Sequence, residues 1–319
     1  MSRAFYPYPI IAGPTASGKT ALAVQLAKRL GGEVVSADSM QIYAGVSVGT
    51  ARPTVQEMEG VVHHLQGFLP LQEKYSVARY IEDATAVFAA VFARNSQPIL
   101  CGGTGLYIQS FMENRQLFEQ PADPSLRQEL VAFAEKNGQE ALMERLRQVD
   151  PASAARLHLN DRNRIIRALE VFYTTGRTIG EQDRLSHSCP SPYTPCLFLL
   201  DFQDRQHLYD RIDRRVDCML ENGLLEEAQR ILRTDREATV TQAIGYKEFD
   251  AYFSGEISLE AAAACLKQQT RRYAKRQLSW FHRMDGAYTL WMDGGDDLHT
   301  LTEKAARHFD EFCERRGNL

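Results

Sequence analysis

Residues 13–20 read Gly13-Pro14-Thr15-Ala16-Ser17-Gly18-Lys19-Thr20, the G-x-x-x-x-G-K-[ST] spacing of a loop that cradles phosphate. The chemistry follows from the residue types. Gly13 and Gly18 let the backbone curl so that several N–H groups converge. A helix starting at the end of the loop adds positive potential. Lys19 contributes a mobile cation and Thr20 a hydroxyl suited to Mg²⁺. Out of context, the same octet is a glycine turn capping a helix. The loop specifies a diphosphate-like anion and does not specify ATP. An enzyme that hydrolyses nucleotides usually adds a strongly apolar strand ending in an aspartate for Mg²⁺. Leu197–Phe202 contains Asp201, but Phe-Gln-Asp-Arg follows, a poor match.

Two other short apolar runs end in groups that could work beside such a loop. Val34–Ala37 leads into Asp38-Ser39-Met40-Gln41, and Ile99–Cys101 into Gly102-Gly103-Thr104. At the carboxyl ends of parallel strands these would place a carboxylate and a hydroxyl next to the phosphate loop. A carboxylate there can take a proton from an attacking amine or hydroxyl. Asp38 is equally a turn-former or helix cap, and Gly102-Gly103 a tight turn. Further cations lie in residues 207–220, where Arg211 and Arg215 share a helix face with Arg214 beside them. Surface pairing with Asp210, Asp213 and Asp217 is the competing use of those arginines.

The elements that must position these groups alternate. Ile10–Ala12, Val34–Ala37, Ile99–Cys101, Leu197–Leu200 and Thr289–Met292 read as buried strands, with helical patterns such as Thr20–Leu30 and Tyr80–Ala93 between them. The expected fold class is α/β: a P-loop NTPase-like parallel sheet flanked by helices, with an all-helical insertion domain. Residues 1–120 and 196–319 form the discontinuous core, its C-terminal part largely helical, and residues 121–195 the insertion. In the insertion, Asp123-Pro124 and Asp150-Pro151 are helix starts, and Leu126, Leu130 and Phe133 repeat at helical spacing. Asn160 or Asp161 caps a helix striped by Ile165, Leu169 and Phe172 and stopped by Gly176. Residues 186–195, with three prolines, read as a linker.

Composition narrows the class without naming a partner. The chain has 319 residues, 44% hydrophobic and 24% charged, with a net charge of −4, ordinary for a soluble globular protein. A polyanion partner therefore needs local basic clusters. No run approaches the roughly 18 apolar residues of a membrane span. The N-terminus lacks the pattern of a secretory signal. The six cysteines show no zinc spacing and read as reduced thiols of a cytoplasmic enzyme. His63 and His64 have no third ligand at suitable spacing. Residues 267–284 carry six Lys/Arg and no acid: Arg272, Arg276 and Arg283 on one helical stripe, Tyr273, Gln277 and Trp280 on another. Such a face lies against phosphates or is simply solvated.

The ordered set GPTASGKT, SADSMQIY, VGTARPT (48–54), GGTGLYI (102–108), NDRNRIIRALEV (160–171) with TTGR after it, AIGYKE (243–248) and RRYAKRQLSWF (271–281) resembles the tRNA dimethylallyltransferase (tRNA isopentenyltransferase) family, bacterial type. It spans residues 13–281 and is far more specific than the phosphate loop alone. The resemblance implies transfer of a dimethylallyl group from dimethylallyl diphosphate to the exocyclic N6 amine of the adenine 3′ to the tRNA anticodon. It gives Gly13–Thr20 to the diphosphate, with Thr20 helping to hold Mg²⁺. Asp38 becomes the general base, Ser39, Met40 and Gln41 the base-contacting segment, and Thr104 the hydroxyl orienting diphosphate and base. Arg211 is favoured for the leaving diphosphate. To tRNA it gives those acceptor-side residues together with Arg127, Arg162, Asn163, Arg164, Ile165, Ile166 and Arg167. Gln242, Ala243, Ile244, Gly245, Tyr246 and Lys247 also match, and the basic helix supplies Arg272, Lys275 and Arg276. Salt bridging, for instance to Glu170, is the rival use of the insertion's arginines. The stacked target base would have to flip out into a pocket between core and insertion. A monomer is expected. Residues 63–76 are less acidic than is usual in the family, and no C-terminal zinc finger of the kind some eukaryotic members carry is present. Three other readings share the loop: a P-loop small-molecule kinase, an adenylate prenyltransferase acting on free nucleotide, and a non-enzymatic RNA-binding P-loop protein, which would leave Asp38 and Thr104 unexplained.

Overall fold

A computed structural model of the protein describes residues 6–117, 124–187, 189–233 and 239–317. The first half of the core runs β1 (Tyr6–Ala12), α1 (Lys19–Leu30), β2 (Gly32–Ser36), α2 (Val55–Met58), β3 (His63–His64), α3 (Val77–Ala93), β4 (Gln97–Gly102) and α4 (Gly105–Met112). Four helices follow: α5 (Pro124–Val149), α6 (Pro151–Arg156), α7 (Arg162–Thr175) and α8 (Ile179–Ser186). The chain then resumes with β5 (Tyr193–Asp201), α9 (Arg205–Glu221), α10 (Leu224–Leu232), α11 (Asp250–Phe253), α12 (Leu259–Phe281), β6 (Tyr288–Trp291) and α13 (Leu298–Gly317). It packs as two units, Met1–Met112 with Ser191–Leu319, and Glu113–Pro190.

In the first unit all six strands run parallel in the order β3-β2-β4-β1-β5-β6. A parallel sheet needs cover on both faces, and β1 has the composition for it. Ile11 joins Leu22, Leu26, Phe198, Leu200 and Phe309 on one side. Tyr8, Ile10 and Ala12 join Tyr80, Phe88, Leu100 and Phe281 on the other. The register sets Ala12 against Gly102 and Ser36 against Cys101. The loops after β1, β2 and β4 therefore leave the sheet side by side at its carboxyl edge.

The five expected strands are present, and β3 is an addition. Two histidines carry no apolar run by which a strand could be recognised. The stretch expected as a linker differs as well. Helix α8 extends to Ser186, and Pro195 lies inside β5 opposite Tyr8. Strand β6 pairs only from Phe198 onward, so on that side of Pro195 no acceptor waits for the missing N–H.

The second unit is helical. Asp150 caps α6 by accepting from the Ser153 N–H at 2.9 Å, and Gly176 ends α7 in the left-handed conformation. Asp161 occupies the cap position of α7 without a side-chain cap bond. Asp123 lies outside the described residues. Helix α5 is broken at Gly138, whose φ of 86° and ψ of 167° are not helical. Leu130, Leu142, Leu146, Ile165, Ile166 and Leu169 form its core.

Candidate active site

The loop after β1 has the curl its glycines permit. A Cβ on Gly13 would lie 2.8 Å from the Leu200 carbonyl oxygen, so only glycine lets the loop leave the sheet against β5. Gly18, at φ 94°, begins α1 in the left-handed region. Within the loop, Lys19 Nζ donates to the Pro14 carbonyl at 2.6 Å. Ser17 Oγ is buried with no hydrogen-bond partner among the described residues. An ammonium folded onto its own loop, an orphaned hydroxyl and a helix N-terminus together fit an oxyanion. Thr20 and Ser17 also suit Mg²⁺, which takes one or two protein oxygens and completes its shell from phosphate and water. Among the described residues no cluster of three or more His, Cys, Asp or Glu could hold a metal.

Helix α9 brings arginine to this loop. Arg211 Nε donates to the Ala16 carbonyl at 2.8 Å, and Arg215 Nη2 to the Ala51 carbonyl at 3.4 Å. Arg214 is turned outward, with Nε on the Asp210 carbonyl at 3.3 Å. The neighbouring acids are occupied elsewhere: Asp213 pairs with Arg271 and Asp217 with Lys267. Among the described residues neither Arg211 nor Arg215 has a carboxylate partner. Burial lowers the pKa of both, for Arg215 with Asp38 opposing the shift. Two cations without a carboxylate ion pair among the described residues, beside a phosphate-type loop, fit an anion site.

Asp38 and Thr104 stand at the adjoining strand ends. A Cβ on Gly102 would lie 2.2 Å from the Ala37 carbonyl oxygen, which shows how closely the two loops approach. Thr104 N–H donates to that carbonyl at 3.1 Å, and Thr104 Oγ1 accepts from the Ser39 N–H at 3.0 Å. Asp38 Oδ1 accepts from the N–H groups of Met40 at 2.8 Å and Gln41 at 3.1 Å. Its other oxygen makes no hydrogen bond among the described residues. The turn after β2 thus occupies one oxygen of Asp38 only. The Asp38 charge reaches Lys19, Arg215, Tyr107 and Tyr273.

Other sequence candidates are placed less simply. The Gln41 amide is engaged by the loop after β2, donating at 3.1 Å to the carbonyls of both Thr50 and Ala51. Ile165, Ile166, Ala243 and Tyr246 are buried in the cores of their units, so their side chains do not face solvent. Asn163, Arg164, Arg167, Gln242 and Lys247 are the exposed members of those segments. The insertion's arginines are paired: Arg127 and Arg167 with Glu170, Arg162 with Glu135, Arg164 with Asp161. On α12, Lys267 and Arg271 are likewise paired, whereas Arg272, Lys275 and Arg276 are exposed and have no ion pair among the described residues.

Two residues at this site were not legible as such. Gln277 on α12 is buried and reaches two loops at once, accepting from the Thr15 N–H at 2.8 Å and donating to the Gly103 carbonyl at 2.9 Å. Glu227 on α10 accepts from the N–H groups of Ser47 (2.8 Å), Val48 (3.1 Å) and Gly49 (2.8 Å), and from the Tyr246 hydroxyl (2.9 Å). Neither belongs to a metal or catalytic spacing pattern.

The loop lysine makes a checkable prediction. Burial pushes the Lys19 ammonium down to about 8, with Arg215 adding to the depression and Asp38 opposing it. A bound anion favours the charged form and raises that value. Inorganic diphosphate should therefore bind with proton uptake near pH 8.5, and its affinity should fall as pH rises through 8. Calorimetry in buffers of different ionisation enthalpy measures this, and buffer-independent heats would contradict it.

A family model described as IPP transferase matches residues 41–284, and one described as isopentenyl transferase matches residues 8–65. The chain is 46% identical over 287 residues to a tRNA dimethylallyltransferase of Halalkalibacterium halodurans, covering 90% of each chain. It is 44% identical to that of Caldanaerobacter subterraneus subsp. tengcongensis, covering 92% of this chain and 94% of the relative. Among solved structures, the full-length tRNA isopentenylpyrophosphate transferase of Bacillus halodurans superposes with TM-score 0.71 at 39% identity, over 99% of this chain and 100% of that one. A eukaryotic dimethylallyltransferase acting on tRNA gives 0.82 at 28% identity, over 97% of this chain and 80% of that one.

Proposed function

The chain belongs to the IPP transferase family, with its P-loop NTPase-like fold, and from that premise we propose that it transfers a dimethylallyl group from dimethylallyl diphosphate to the N6 amine of the adenine 3′ to the anticodon in tRNA. The observation that carries this reading is local. Lys19, Arg211 and Arg215 gather at a phosphate-type loop without carboxylate partners, beside an aspartate with one uncommitted oxygen.

The residue types suit the chemistry. An adenine exocyclic amine is a poor nucleophile because its lone pair is delocalised into the ring. The allylic carbon must become strongly electrophilic as its C–O bond breaks. In the reaction the amine nitrogen bonds to that carbon, the C–O electron pair leaves with diphosphate, and one amine proton goes to base. Charge growing on the leaving oxygens meets the loop N–H groups, Lys19 and Arg211, the larger share of the catalysis. Mg²⁺ held through Thr20 would supply further neutralisation of diphosphate. Asp38 accepts the proton through its uncommitted oxygen, and Thr104 orients the reacting groups beside it. Arg272, Lys275 and Arg276 on α12, and the exposed arginines of α7, provide phosphate-binding faces for the anticodon stem-loop.

The test is transfer of label from radioactive dimethylallyl diphosphate, with Mg²⁺, to unmodified tRNA that reads codons beginning with U. Parallel reactions contain AMP instead. Label in tRNA and none in AMP is the expected result. Label in AMP alone identifies an adenylate prenyltransferase, and label in neither sinks prenyl transfer and turns attention to an ATP-dependent kinase.

A further inference from the structure

We infer that Gln277 is a positioning residue that locks the diphosphate loop to the Gly103–Thr104 loop, so that leaving group and acceptor side are held in one geometry. The inference deepens the prenyl-transfer reading and rests on it for the reaction, though not for the anion.

A buried glutamine needs partners at both ends of its side-chain amide. Its amide has an acceptor oxygen and two donor hydrogens, and burial without partners is costly. Gln277 is 6% exposed. Both ends of its amide are spent on backbone, and on two different loops: Oε1 on the Thr15 N–H, Nε2 on the Gly103 carbonyl. Thr15 lies in the phosphate loop. Gly103 immediately precedes Thr104, whose hydroxyl meets Ser39 next to Asp38. One side chain from a distant helix thus connects the leaving-group side to the proton-accepting side.

Helix and loop approach closely, so that a side chain at 103 would have to displace the amide. A Cβ on Gly103 would sit 2.3 Å from Gln277 Nε2. Two residues further on, a Cβ on Gly105 would sit 2.5 Å from Trp280, one turn along the same helix. Helix α12 therefore lies against the 102–105 loop at two successive points. The same helix carries Tyr273, which adjoins Thr104 and Gln277. Hydrophobic packing alone would hold a helix here. It would not require a buried amide whose two ends select a single register between two loops.

The experiment measures inorganic diphosphate affinity by calorimetry, and kcat and KM for dimethylallyl diphosphate at saturating tRNA. It compares wild type, Gln277→Met, Gly103→Ala and the double variant. Methionine preserves volume and removes both hydrogen bonds; alanine at 103 displaces the amide from the other side. Each single variant should weaken diphosphate binding and raise the donor KM about tenfold, and lower kcat by a similar factor, with tRNA KM unchanged. The double variant should be no worse than the poorer single one, because both remove the same link. A purely structural glutamine would lower the melting temperature and leave kcat and both KM values intact below it; that result, or additive losses in the double variant, overturns the inference. If Gln277→Met does not fold, wild-type affinity and kinetics in Gly103→Ala overturn it. If wild type binds diphosphate but labels no tRNA, the reaction reading fails, and the affinity series still decides the role of Gln277.

Discussion

Asp38→Asn should lower kcat for prenyl transfer by roughly 10²–10⁴-fold, the range expected for loss of a positioned general base. The variant is informative because it separates the two uses of the residue. Asparagine keeps an oxygen that can accept from the N–H groups of Met40 and Gln41, so the turn after β2 survives. What it loses is the ability of the uncommitted oxygen to take a proton. Donor KM and the melting temperature should stay close to wild type. Single-turnover transfer at saturating donor, with the melting temperature as control, measures this directly. A fall of less than about tenfold would mean that Asp38 shapes the loop and the proton leaves by another route. Asp38→Ala, which removes turn and base together, should be worse in both kcat and stability.

The largest stability effect is expected at Glu227→Ala. That carboxylate satisfies three consecutive backbone N–H groups and a buried tyrosine hydroxyl. Its removal leaves those donors unpaired in a buried place, a loss on the order of 3–5 kcal/mol of folding free energy. A denaturant titration reads it as a lower midpoint with little change in slope. The pH dependence has a definite sign. Burial on its own would raise the Glu227 pKa, but the N–H bonds from Ser47, Gly49 and Val48 outweigh it and the net shift is downward. A carboxyl lowered by folding stabilises the protein fully above its unfolded value of about 4.3, and the contribution fades as pH falls through the folded value. The alanine variant should therefore lose less stability, relative to wild type, in strong acid than at pH 7. The loss extends to the site, because the loop held by Glu227 presents the Ala51 carbonyl that takes Arg215 and Gln41.

The parts of the molecule written in the sequence are those governed by short-range rules. The phosphate loop has a fixed spacing, and β1 and β4 are apolar runs closed by glycine, so their ends and the loops after them could be located in advance. The helical spacing of Arg211 and Arg215 was visible too. Which of the neighbouring arginines turns away was not, since that depends on how α9 is rotated against the loop. Gln277 and Glu227 were hidden for a related reason. A buried polar side chain earns its role from partners far along the chain, and nothing local distinguishes Gln277 from the exposed residues around it. The segment Gln242–Lys247 shows the converse. Its resemblance to a tRNA-contacting stretch was legible, but Tyr246 faces inward, beneath Gly49 and onto Glu227. Strand β3 escaped because two histidines carry no periodicity.

The place of β1 in the sheet also bears on how the chain is made. Strand β1 pairs with β4 on one side and with β5 on the other, so Tyr6 finds its partner only at Tyr193. During synthesis Leu200, against which Gly13 rests, and Arg211, which grips Ala16, emerge nearly two hundred residues after the phosphate loop. The Glu113–Pro190 unit, continuous in sequence, can close in the interval. The central ladder must wait, with one edge of β1 unpaired until β5 arrives. A nascent chain thus carries its anion-binding motif through nearly two hundred further residues of synthesis without the groups that complete it, and the anion site closes only once α9 has been made.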